Sequence, residues 1–309
     1  MTWLVHVPVL LPVLLLPVAL WPLARIATRA GRPERAARAL AAGAVVTAGS
    51  GLVCLLLVAA TLADDVPAIE RYAHLSAAAG GQPLPEPIPD PLAVGAAGLL
   101  LWIGWRAASE RHRRRAVARS LHAAGPADGD LLVADWDSPR AVAVPPVPGR
   151  RGHVLVTSGL LRLLDARERR AVLAHERAHL RHRHDRTTAA AGLATAINPL
   201  LRPVASAVDL LVERSADEDA ARTVADRRLV AHTIAKVALA AHGPEAALGF
   251  GGSSTVRRVE ALVRPTSGRL RQGGFTVSGS ACVSALSLLV AAAAVAEFAA
   301  LLQAWLPTG

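Results

Sequence analysis

Residues 175–185 read HERAHLRHRHD, four histidines and two carboxylates in eleven residues. His175 and His179 are four apart, so on a helix both imidazoles leave one face a turn apart, as two ligands of a tetrahedral zinc require. Glu176 falls at the edge of that face, in position to take a proton from an attacking water and pass it to a leaving amine. The chemistry is metal-assisted hydrolysis of a peptide bond. Eleven histidines and eleven glutamates in 309 residues make an accidental HExxH an event expected on the order of 0.01 times. The alternative, a solvated polar turn, fits poorly because AVLAHERAH puts an apolar face behind the histidines.

A third protein ligand is needed, and spacing leaves Asp185, His184, Glu213 and Glu218 open. The segment LVERSADEDAA puts Glu213 and Asp217 four apart on one helical face, so one carboxylate can bind the metal while the other orients a histidine. The competing reading is a surface helix whose acids pair with Arg214 and Arg222. Between His179 and Asp185 the residues LRHR contain no breaker. A continuous helix there would carry Asp185 about 9 Å along the axis, too far for a bond near 2 Å. His182 and His184 read as solvated or lipid-facing.

These residues need elements to hold them. Leu131 to Ala134, Arg140 to Val144 and His153 to Thr157 read as two or three short strands. Asp165 is an N-cap, with Glu168 completing a capping box, and the HExxH helix follows. Asn198-Pro199 and Pro203 interrupt the next apolar stretch. Further helices are expected over roughly Val204 to Val224 and Asp226 to His242, followed by a GFGGSS loop. Thr187 to Leu201 is apolar enough to touch a bilayer and too short to cross it.

The rest of the chain is apolar, with 52% hydrophobic residues and a mean hydropathy of +0.36. Trp3 to Leu23 and Ala39 to Ala63 carry no charge and exceed the roughly 20 residues of a span. Pro91 to Trp105 is a shorter third span with interfacial tryptophans, and Phe275 to Ala296 is the fourth. A cleaved signal peptide fits the first run poorly, since it has no basic start and four prolines. Cys54 and Cys282 fall inside spans, which excludes a thiolate metal site.

The net charge of +10 rests on 33 arginines and one lysine. The arginines gather at span ends: Arg25, Arg29, Arg32, Arg35 and Arg38 after the first, Arg106, Arg111, Arg113, Arg114, Arg115 and Arg119 after the third. The loop between spans two and three is acidic. Basic loops are cytoplasmic by the positive-inside rule, placing both termini outside. That distribution, with few aromatics, excludes direct nucleic-acid binding. The fold class is an α-helical multi-pass membrane protein with a cytoplasmic α+β zincin-like domain. Residues 1–108 form a membrane domain, 109–274 the zinc domain, and 275–309 the last span with a short tail.

Thr157-Ser158-Gly159-Leu160-Leu161, then Ala171-Val172-Leu173-Ala174-His175-Glu176, and later Glu213-x-x-Ala216-Asp217 together resemble the gluzincin core of integral-membrane metallopeptidases. The span layout resembles the BlaR/MecR sensor-transducer peptidases most, here expected without their extracellular sensor. The HtpX/CAAX-endopeptidase family is the second likeness. Either resemblance implies zinc held by His175, His179 and Glu213, with Glu176 as base. It also implies a protein substrate cleaved at the cytoplasmic membrane face: a transcriptional repressor in the first case, membrane proteins under quality control in the second. The reading from another class is a non-catalytic signalling or scaffold protein that keeps the fold.

Overall fold

The structure, a computed structural model, describes residues 11–60, 90–125, 129–248, 252–264 and 269–305. The acidic loop and the start of the first expected span lie outside the described residues. Helices dominate, and three (Pro33–Ala60, Pro91–His122 and Gly274–Ala300) are long and apolar enough to cross a membrane. The described part of the N-terminal apolar segment is shorter: a π-helical turn at Leu11–Leu15 leads into α1 (Leu16–Ala27), with Pro22 inside it.

Helix α2 (Pro33–Ala60) holds the apolar part together. It packs on α10 (Arg269–Trp305) through short side chains. Thr47 and Ser287 share a 3.3 Å hydrogen bond across this contact, and a Cβ on Gly43 would lie 3.6 Å from Ser280. Small and hydroxylated residues let two apolar helices approach closely and satisfy each other's polar groups. Helix α3 (Asp90–His122) extends the expected third span: the apolar half and the arginine-rich half are one continuous rod of about 50 Å.

A three-stranded sheet follows, β1 (Leu131–Ala134), β2 (Ala141–Val144) and β3 (His153–Thr157), in the order β1-β3-β2. β3 is central and buried throughout, parallel to β1 and antiparallel to β2. Its apolar centre, Val154-Leu155-Val156, suits a strand covered on both faces, and β2 is left at an edge. β3 turns directly into α4 (Ser158–Leu163), where the Thr157 hydroxyl accepts the Leu160 N–H. Gly159 sits so close to the preceding loop that a Cβ there would lie 1.9 Å from the Asp137 carbonyl oxygen. The Gly159→Ala protein is expected to lose about 1–3 kcal/mol, the usual cost of forcing atoms into a packed site. Thermal unfolding against wild type measures it; an unchanged midpoint would remove this role.

Helix α5 (Ala166–His182) begins with the expected capping box: Asp165 accepts from the Arg167 and Glu168 N–H groups, and Glu168 accepts from Asp165 N–H at 2.9 Å. The expectation of an unbroken helix through LRHR is overturned. Arg183 adopts a left-handed conformation (φ 53°), and a new helix, α6 (His184–Ile197), leaves in another direction. That conformation costs a non-glycine residue roughly 1–2 kcal/mol. The turn lets Ala191 and Ala194 of α6 bury against α2, a packing gain that local sequence does not reveal.

Helix α7 (Arg202–Val224) follows a 3-10 turn at Pro199–Leu201, then α8 (Arg227–Leu248) and α9 (Gly252–Val263). One core joins the apolar helices to the helices carrying the expected site: Leu20 and Leu23 of α1 and Leu40 and Ala44 of α2 cluster with Ala191, Val204, Val208 and Leu211. Hydrogen bonds reinforce it. Trp21 donates to the Leu200 carbonyl at 2.7 Å, and buried Arg214 donates to the carbonyls of Thr28 and Ala30 in the α1–α2 connection.

Candidate metal centre

Helix α5 presents His175 and His179, whose Nε2 atoms are 3.1 Å apart. Helix α7 crosses beside it and brings Glu213 to the same point, Oε2 lying 3.5 Å from His175 Nε2 and Oε1 3.6 Å from His179 Nε2. These three make up the group among the described residues whose ligand atoms all lie within 4.8 Å of one another. Two imidazole nitrogens and a carboxylate oxygen, half-buried and convergent, are the donor set of a three-ligand zinc site with a position left open.

The second nitrogens of both imidazoles are also engaged. Asp217, fully buried one turn beyond Glu213, meets His175 Nδ1 at 2.9 Å. His179 Nδ1 lies 3.1 Å from His184 Nδ1. With His179 Nδ1–H donating to His184 Nδ1, His179 Nε2 is left open toward a metal, the usual way an outer partner sets a ligand tautomer. The other possible third ligands go elsewhere. Glu218 pairs with Arg227 at 2.9 Å, and Asp185 lines the neighbouring cavity without joining the ligand group.

Sequence reasoning missed Arg258. From α9 its guanidinium grips Asp217 with two bonds of 2.7 and 2.8 Å, and its third nitrogen lies 3.0 Å from Glu213. Nothing in the spacing of RRVEALV points to α7, more than forty residues earlier. Glu213 and Asp217 therefore do not pair with Arg214 and Arg222. Arg214 binds the α1–α2 connection, and Arg222 pairs with Asp219.

The two histidines expected at a solvated or lipid-facing surface are not there. His184 is 2% exposed, and His182 bridges Glu34 at 3.0 Å and Asp219 at 2.7 Å. For His184 the turn at Arg183 is the cause, bringing it back against His179 of α5; His182, the last residue of α5, is held by its two carboxylate partners.

Electrostatics separate the roles. Burial works against charge on His175, but the Asp217 and Glu213 carboxylates outweigh it and hold that imidazole up to about 10, so an incoming metal ion displaces a proton there. Burial pushes His179 down to about 4, leaving it neutral and ready to ligate. Burial also works against charge on Glu213, yet the His175 hydrogen bond and the Arg258 and histidine charges keep it ionised, well below the usual carboxylate range. Glu176 behaves differently. Burial raises its carboxyl, and its Oε2 accepts the Ala143 N–H of edge strand β2 at 2.7 Å. A carboxylate raised toward neutrality and held beside, but outside, the ligand group is suited to general-base work.

A cavity of about 550 Å³ opens on this face, walled by Leu160, Val172, Val230, Ile234 and Val237 as well as the ionisable residues. Thr157 Oγ1 and N–H bond to Ser138 and Arg140 carbonyls, fixing the register in which Val142 and Val144 turn toward β3 while Ala141 and Ala143 turn outward.

Comparison with known proteins agrees with the second of the two family likenesses. Residues 115–208 match the profile of Peptidase family M48. A stretch of 65 residues is 45% identical to a protease HtpX homolog of Thermoplasma acidophilum, covering 21% of this chain and 20% of that relative. The chain thus matches about a fifth of the relative's length. No solved structure matches. Nothing in these matches points to the BlaR/MecR type.

Proposed function

We propose that this chain is a membrane-bound, zinc-dependent endopeptidase of HtpX-like character that cleaves locally extended protein segments. The observation that carries the reading is the convergence of His175, His179 and Glu213, with Glu176 held beside them by the exposed edge of β2. Zinc, when bound, supplies a Lewis acid and brings the pKa of water to about 7. The chain's own residues do the rest. Asp217, itself clamped by Arg258, holds His175 in its ligating orientation. Glu176 takes a proton from the attacking water and returns it to the leaving amine. The outward backbone groups of Ala141 and the carbonyl of Ala143 offer an extended polypeptide an edge to pair with, and the apolar cavity wall accepts a side chain next to the cut.

The shared core supports the position. Arg214, next to Glu213, binds the α1–α2 connection, which favours a catalytic helix α7 on the same side of the membrane as the basic loop of Arg25 to Arg38. The positive-inside rule makes that side cytoplasmic. A second reading, repressor cleavage of the BlaR/MecR kind, is supported by the layout: a single short helix, α6, separates HExxH from the Glu213 helix.

The test uses full-length protein in detergent with unfolded casein. Cleavage is expected, falling to background with 1,10-phenanthroline and returning when zinc is added in excess of the chelator. Undiminished cleavage under full chelation would exclude the mechanism. Bound zinc without any cleavage would favour the non-catalytic scaffold.

A further inference from the structure

Helix α3 leaves its apolar half at Trp105 and continues without a break into its basic half. Just beyond that point it forms one wall of a groove with Arg111, His112, Arg115 and Arg119, and the β2–β3 connection forms the other with Val147, Pro148 and Arg150. No acidic residue lines the groove. Glu110 pairs with Arg113, which also lines the groove, and with Arg114. Arg111, Arg115 and Arg119 have no carboxylate partner among the described residues, and all are exposed. The far wall is fastened rather than loose: Arg150 donates to the His122 carbonyl at 2.8 Å, and His122 Nε2 lies 2.9 Å from the Pro145 carbonyl oxygen.

Guanidinium groups gathered along one wall without carboxylate partners, with Arg150 across from them, repel, and a groove that keeps them together calls for an anion. The surface leading into it says which kind. Leu101 is 78% exposed and Trp105 67% exposed, and Arg106 stacks over the Trp102 ring at 4.8 Å, an arrangement for the apolar–polar boundary of a bilayer. Arg111 lies about 9 Å along the axis from Trp105, where headgroups begin, and Arg115 and Arg119 follow on the same wall. We infer that this groove binds the headgroup of an anionic glycerophospholipid of the cytoplasmic leaflet, whose acyl chains lie along the exposed apolar face of α3. This rests on the proposed membrane placement of α3 and not on the peptidase reading. A bound headgroup would tie α3 to the β2–β3 connection, and so to the edge strand beside Glu176.

The test is thermal unfolding of the detergent-solubilised full chain titrated with dioleoylphosphatidylglycerol, dioleoylphosphatidylcholine, or inorganic phosphate at matched ionic strength. Phosphatidylglycerol is expected to stabilise the wild type while the other two do not. In the Arg111→Gln, Arg115→Gln, Arg119→Gln triple variant, half-saturation should need on the order of 10- to 100-fold more phosphatidylglycerol. A triple variant at equally exposed Arg162, Arg170 and Arg228, elsewhere on the surface, should respond like wild type. An unchanged response of the groove variant, or an equal effect of phosphatidylcholine or of phosphate alone, would overturn the site. Because the readout is stability, failure leaves the peptidase proposal untouched. Recovery of the chain from the soluble rather than the membrane fraction would instead remove the membrane premise.

Discussion

The Glu176→Gln protein is expected to bind zinc like the wild type and to cleave at least about 10²–10⁴-fold more slowly, the range for loss of one general base. The structure separates the two properties. Glu176 lies outside the ligand group, and its Oε2 is occupied by the Ala143 N–H. The Gln side chain keeps an oxygen for that N–H and nearly the same volume, so β2 and α5 should stay in register. What is lost is the group whose carboxyl is raised by burial and can take a proton from the attacking water. Zinc content by plasma mass spectrometry, alongside a casein assay, checks both halves. Full activity in the variant would sink the base assignment while leaving the metal centre standing, and lost zinc would mean that Glu176 supports the ligands directly.

Short-range patterns were legible in the sequence, and contacts set by distant packing were not. The HExxH helix, its Asp165–Glu168 cap and the three strands all appear where local composition and spacing place them, because caps, breakers and periodicity act within a few residues. Spacing left Glu213 as one of several candidates, since it does not say which helix crosses which, and only the family resemblance singled it out. Arg258 was invisible for the same reason. The turn at Arg183 shows the limit most clearly. LRHR has every local reason to stay helical, yet burial of Ala191 and Ala194 against α2 outweighs the local preference, and His184 moves from the surface into the site. The arginines between Arg106 and Arg119 were legible as charge. That they belong to one rod with the apolar Pro91–Trp105 segment, and line a groove closed by Arg150, was not.

Glu213→Ala is expected to lose zinc and Asp185→Ala to retain it, although the original ground for setting Asp185 aside no longer holds. With α5 ending before Arg183, Asp185 is not carried away along an unbroken helix; it begins α6 and lines the same cavity as the ligands. What separates the two acids is now convergence. Glu213 places its oxygens 3.5 and 3.6 Å from the two ligating nitrogens, while Asp185 is not in the group whose ligand atoms share one point. The intervening place beside His179 is taken by His184. Glu213 is also held in its ionised form by the His175 hydrogen bond and the charge of Arg258, which is the form that binds metal. Partners that only orient a ligand cost about 10–100-fold in metal affinity when removed. Asp217→Asn should fall in that range, and Glu213→Ala should exceed it. Zinc affinities of the three folded variants, from competition with a chromophoric chelator, give the order: Asp185→Ala near wild type, Asp217→Asn weakened, Glu213→Ala weakest. Zinc lost from the Asp185 variant and kept by the Glu213 variant would move the third ligand to the start of α6 and show that His184 and Asp185, not α7, complete the site.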